Sequence, residues 1–148
     1  MVGFVPLHPP YNTEDIMSEN TELYADAKLD IYVKAALERK TVNLVILDIH
    51  SLSSIADALI ICSGRSNRQV KAIAEHIRMN LKKQGIKPIS VEGQKEGQWV
   101  LMDYADVIIH IFYQPVRTFY DLEGLWADAQ RVRTESLVPD NAIPNNSL

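Results

Sequence analysis

The sequence predicts a single α/β domain, with helices flanking one mixed sheet of about five strands. Three observations carry this. The chain has 148 residues, which is room for one substantial core and little for two. Its pattern runs helix, two strands, helix, three strands, helix. Its strand segments are apolar on both faces, which places them inside a covered sheet.

Residues 1–20 hold Pro6, Pro9 and Pro10, show no periodicity and are expected to form a flexible lead. Met17 stands beside Met1 as a second candidate start. The domain itself is expected over 21–133. From Thr21 to Lys40, Leu29, Val33, Ala36 and Leu37 recur at helical spacing without Gly or Pro. Leu44–Ile49 is a short apolar strand. A loop with Ser51, Ser53 and Ser54 separates it from a second strand, Ala58–Cys62.

Ser66 with Gln69 makes a capping box that opens the second helix, and Gly85 ends it. Val70, Ile73, Ala74, Ile77 and Leu81 share one face of that helix, while Arg68, Lys71, Arg78, Lys82 and Lys83 share the other. A short strand near Ile89–Glu92 precedes a loop with Gly93 and Gly97. Trp99–Asp103 and Asp106–Phe112 read as strands around a tight turn at Tyr104-Ala105. After Pro115 a third helix is expected from Arg117 to Ala129, with Phe119, Leu122, Leu125 and Trp126 on one side. Residues 134–148 read as a disordered tail.

Composition narrows the function. Fifteen basic residues against nineteen acidic ones leave a net charge of −4, which argues against a protein that grips nucleic acid with its whole surface. The balance is uneven, however. Residues 65–87 hold seven basic side chains and only Glu75 as an acid, so a local basic patch is expected. No apolar run approaches the ~18–20 residues of a membrane span. The N-terminus has no basic leader followed by an apolar core. Cys62, the one cysteine, cannot form an internal disulfide, and the expected setting is a reducing cytoplasm.

Most catalytic signatures are missing. There is no G-x-x-x-x-G-K-[ST] loop, no G-x-G-x-x-G fingerprint and no G-x-S-x-G. One cysteine and scattered His8, His50, His76 and His110 make no zinc pattern, and no cofactor is expected. Gly64-Arg65-Ser66 opens a helix where phosphates can bind, although Ser66 as a simple cap accounts for it. Asp103 and Asp106 flank the hairpin turn, where carboxylates ordinarily accept backbone N–H bonds. Cys62 and His110, within apolar strands, read as buried structural groups. Trp99, Tyr104 and Tyr120 stand at the margins of elements, where aromatic residues anchor protein interfaces or fill cores.

Longer strings are more specific. Asp57-Ala58-Leu59-Ile60-Ile61-Cys62-Ser63-Gly64-Arg65-Ser66-Asn67-Arg68-Gln69-Val70 is one. Others are Val91-Glu92-Gly93, the run from Trp99 to Val107, His110-Ile111-Phe112, and the run from Arg117 to Trp126. Together, in this order over about residues 22–128, they resemble the ribosomal silencing factor family (RsfS, Iojap-related). The resemblance implies a nucleotidyltransferase-like fold without that activity. It implies binding to the large ribosomal subunit through its L-fourteen protein, steric exclusion of the small subunit, and repression of translation when nutrients are short. It also implies a homodimer when free. Trp99 and Tyr120 become the leading partner-binding candidates, with Asp103, Tyr104 and Glu123 as neighbours. One residue departs from the pattern: Ala105 stands where the family usually has Gly, and a turn needing positive φ would be strained by Ala, so the turn type or its neighbours are expected to differ there.

Two rival readings remain open on the residues. One is a small nucleotidyltransferase-like enzyme using Asp103, Asp106 and the Gly64–Ser66 turn. The other is an RNA-binding module working through Arg68, Lys71, Arg78, Lys82 and Lys83, an RNA contact secondary to the protein partner in the family reading.

Overall fold

A computed structural model describes residues 29–132. The expected flexible lead, the start of the first helix and the expected disordered tail lie outside the described residues. Helix α1 is described over residues 29–37. It is followed by β1 (Val42–Asp48), β2 (Ala58–Gly64), α2 (Asn67–Lys83), β3 (Ser90–Glu92), β4 (Trp99–Asp103) and β5 (Val107–Tyr113). Two short helices, α3 (Gln114–Tyr120) and α4 (Leu122–Leu125), then lead to β6 (Gln130–Val132).

The strands form one six-stranded mixed sheet in the order β3-β4-β5-β2-β1-β6. β2 and β5 pair in parallel at its centre, with Ala58 opposite Val107 and Gly64 opposite Tyr113. The remaining neighbours are antiparallel. Every residue of β2 is buried, as is β5 up to Phe112, because this pair has a helical layer on each face.

Alternation along the strands divides the core. Ile46, Ala58, Ile60, Cys62, Val100, Met102, Ile109 and Ile111 face α1 and α2. Helix α2 presents Val70, Ile73, Ala74, Ile77 and Leu81 to them, as its period predicts. Each such fully buried Val, Ile or Leu stabilises by about 1.5–3 kcal/mol. Leu47, Leu59, Ile61, Ile108 and Phe112 point the other way, against Val116, Leu122 and Trp126 of the α3–α4 region.

Ser66 caps α2 by accepting from Gln69 N at 3.0 Å. The return half of the box is displaced by one residue: Gln69 Oε1 accepts from Arg65 N, not from the Ser66 amide.

The structure corrects two expectations. First, the single third helix is two. Asp121 adopts a left-handed conformation (φ 48°, ψ 56°) that ends α3, and its carboxylate then caps α4 by accepting from Gly124 N. A Cβ at Gly124 would collide with that carboxylate, so any larger residue there must displace the cap. Second, β6 adds a sixth strand on β1, pairing Asp48 with Gln130 and Ile46 with Val132. It is short and largely polar, as edge strands tend to be, and therefore reads as loop.

At the hairpin turn Ala105 sits in a left-handed conformation, at φ 72°. Asp103 Oδ1 supports it by accepting from Ala105 N at 2.8 Å. A left-handed L-residue costs about 1–2 kcal/mol, partly offset by the lower unfolded-state entropy of Ala relative to Gly. Ala105→Gly should therefore raise stability by about 0.5–1 kcal/mol, measured as an upward shift of the urea midpoint with unchanged slope.

Candidate partner-binding surface

Trp99 opens β4 directly opposite Phe112 near the end of β5, and α3 begins two residues after Phe112. This brings residues distant in sequence into one aromatic group. The Trp99 ring centroid lies 4.8 Å from Phe112 and 5.0 Å from Tyr120. Tyr120 continues the group outward to Phe119, edge-on at 5.1 Å. Trp99 is half-buried, whereas Tyr120 is 56% exposed and Phe119 is 80% exposed. Leu125, in α4, is 76% exposed.

His110 lies on the same sheet face, buried beneath the indole. Trp99 Nε1 donates to His110 Nδ1 at 3.0 Å, which requires a neutral imidazole with its proton on Nε2. Burial pushes the His110 pKa down to about 4. The indole orientation is thus set by a hydrogen bond beneath it as well as by its ring neighbours.

The backbone break at Asp121 explains which side chains show. Sequence periodicity puts Phe119, Leu122, Leu125 and Trp126 on one helical side. After the break, Leu122 and Trp126 turn onto the sheet, while Phe119 and Leu125 are left exposed. Phe119 and Leu125 are thus surface residues that helical spacing assigns to the core. The signal for them was the Asp121–Gly124 pair, an N-cap residue followed at the third position by a residue without Cβ.

Arg117 holds α3 and α4 against the sheet. It is buried, and its Nη2 donates to Glu123 Oε2 at 2.8 Å while Nε donates to the same oxygen at 3.2 Å. Its Nη1 donates to Ser63 Oγ at 2.8 Å and to Val42 O at 3.4 Å. Burial pushes the Glu123 carboxyl up, but hydrogen bonding and charge from Arg117 outweigh it and hold the pKa below the usual carboxylate range.

The predicted partner-binding residues therefore separate. Trp99 and Tyr120 meet in the aromatic group. Glu123 is engaged by Arg117. Asp103 shares a sheet face with Trp99 but lies at the far end of β4, occupied with the hairpin amide. Tyr104 is on the opposite side, 7% exposed, with its ring 5.5 Å from Tyr32. Burial pushes its hydroxyl pKa up to about 12. Tyr104 is a core residue, because the turn that follows it folds its ring under α1.

Of the cationic candidates, Arg68, Lys71, Lys82 and Lys83 are exposed on α2. Arg78 differs: its Nη2 donates to Glu75 at 2.6 Å, so its charge is locally matched. Among the described residues no cluster of three or more His, Cys, Asp or Glu side chains could hold a metal ion. The Cys62 thiol is buried, and burial pushes its pKa up to about 12. Among the described residues no helix is long and apolar enough to cross a membrane.

These features define a small α/β domain whose distinctive surface is an aromatic and apolar margin held in place by buried polar contacts. A family model described as "Ribosomal silencing factor during starvation" matches residues 22–147, and the chain belongs to this family, one of regulatory factors. A "Ribosomal silencing factor RsfS" from Halalkalibacterium halodurans is 38% identical over 110 residues, covering 74% of this chain and 94% of the relative. One from Bacillus subtilis is 39% identical over 101 residues, covering 68% and 86%. A crystal structure of a Chromobacterium violaceum protein matches with a TM-score of 0.65 at 36% identity, covering 70% of this chain and 85% of that one.

Two outcomes test the buried contacts. Unfolded His110 binds a proton near pH 6.5, whereas folded His110 resists it down to about pH 4. Its contribution is present above pH 6.5 and is lost as pH falls through that window, by up to about 3 kcal/mol. The urea midpoint should drop accordingly, and His110→Gln should flatten that part of the dependence. Glu123→Gln leaves the Arg117 charge buried without its counter-ion and should cost about 2–3 kcal/mol, read from thermal unfolding at pH 7.

Proposed function

We propose that this protein binds the large ribosomal subunit through its L-fourteen protein, on the face that meets the small subunit. Bound there, it holds the small subunit off by steric exclusion and damps translation when nutrients are short. It works by binding, without a chemical step, in the cytoplasm, and it is a homodimer when free. The observation that carries the reading is membership of the silencing-factor family over residues 22–147.

The surface chemistry agrees with it. An acidic protein suits a basic ribosomal partner, because complementary charge steers encounter. The exposed aromatic margin supplies anchors of the kind that carry interface energy. Phe119, Tyr120 and Trp99 are the central contacts, with Leu125 beside them; Asp103 and Glu123 belong to the surrounding polar surface.

Sedimentation with isolated subunits tests the reading: the protein should travel with large subunits and not with small ones. Phe119→Ala is the cleanest probe, since the exposed ring contributes little to folding. It should shift stability by less than about 0.5 kcal/mol and weaken large-subunit binding at least about 10-fold. Trp99→Ala should lose both affinity and stability, because the ring also packs on Phe112. Sedimentation equilibrium at micromolar concentration should show a dimer. Normal large-subunit binding by Phe119→Ala would remove the aromatic margin as the contact surface.

A further inference from the structure

We infer that the solvent face of α2 is a second contact surface, one that lies along the phosphate backbone of RNA when the protein sits on the large subunit. The inference rests on the ribosome reading and adds a separate element of the fold to it.

Charge distribution is the first support. Residues 65–87 carry seven basic side chains and one acidic, while the remainder of the chain carries eight and eighteen. The fold does not disperse this cluster. The buried stripe of α2 faces the sheet, so Arg68, Lys71, Lys82 and Lys83 are left exposed together on the outer side of one rigid helix. At about 1.5 Å per residue, they extend over about 22 Å of helix.

Pairing is the second support. Glu75, the one acid in the segment, is engaged by Arg78. Among the described residues, Arg68, Lys71, Lys82 and Lys83 have no ion pair. Cations with no acidic partner among the described residues, on an acidic protein, attract a polyanion locally, while the negative remainder disfavours any other orientation towards it.

Continuity is the third support. Arg39 and Lys83 both line a groove of about 410 Å³ between the end of α1 and α2, with Glu75, His76, Met79 and Asn80. Arg39 thus adds a further cation at the α1 end, while the acids beside the groove are engaged, Glu75 by Arg78 and Glu38 by His76 and Asn80. A phosphodiester backbone is the occupant that matches a row of separated cations with few acids among them.

The test compares three proteins on isolated large subunits between 50 and 200 mM salt: wild type, Phe119→Ala, and a variant with Arg68, Lys71, Lys82 and Lys83 all changed to Gln. Each phosphate contact contributes about 0.7–0.9 to the log–log salt slope, so the Gln variant should have a slope shallower by about 3. It should bind more weakly at 50 mM and unfold at the wild-type temperature. Phe119→Ala should lose affinity and keep the wild-type slope. In a parallel arm, wild type should bind a short RNA duplex weakly and with salt sensitivity, and the Gln variant should not.

A Gln variant that matches wild type in affinity and slope overturns the RNA contact and leaves the silencing reading intact. A Gln variant impaired on subunits, with no affinity of wild type for RNA, overturns it in favour of an acidic protein partner. If wild type fails to bind large subunits at all, the silencing reading falls and this contact falls with it.

Discussion

β2 and β5 run parallel at the centre of the sheet and are apolar on both faces, so both faces require cover. The chain supplies it unevenly. After β2 it crosses to one face and lays down α2, a helix of 17 residues with a complete apolar stripe, which packs there with α1. After β5 it crosses to the other face and has only α3 and α4, of 7 and 4 residues. Helices this short are not stable by themselves. Their position depends on Arg117, whose buried guanidinium ties them to Glu123, Ser63 and the carbonyl of Val42.

That economy has a consequence for function. Two short helices joined at a left-handed residue cannot bury all of their apolar side chains, and Phe119, Tyr120 and Leu125 remain in solvent. The sheet beneath is rigid, and the Trp99–His110 bond fixes the half-buried ring that links surface to core. A Trp99 ring so constrained would lose little side-chain entropy on binding, which favours affinity. The same contacts make the margin sensitive to buried charge: protonating His110 or neutralising Glu123 disturbs a surface that neither residue fills.

The fold was legible in the sequence wherever one physical signal acted alone. The β2 run and the α2 stripe were readable because burial imposed a clean period on each. The long motifs from Asp57 to Val70 and from Trp99 to Val107 carried the family. What was not legible depended on partners far along the chain or on backbone geometry. β6 is three largely polar residues that become a strand only by meeting β1. The helical period runs unbroken through Asp121, so Phe119 and Leu125 read as core. Tyr104 reads as a hairpin tip, yet its ring belongs with Tyr32, more than seventy residues earlier. Trp99 and Tyr120 were recognisable as candidates, but their contact was not, because it depends on how α3 leaves the sheet.

If the proposed function holds, a large subunit occupied by this protein cannot accept the small subunit. The most direct measurement is light scattering of subunit joining, with large subunits preincubated with increasing protein before small subunits are added. Joining should fall in proportion to the fraction of large subunits occupied, and recover when excess unoccupied large subunits are added. Unchanged joining, with the protein still bound to the large subunits in the joined ribosomes, would contradict it.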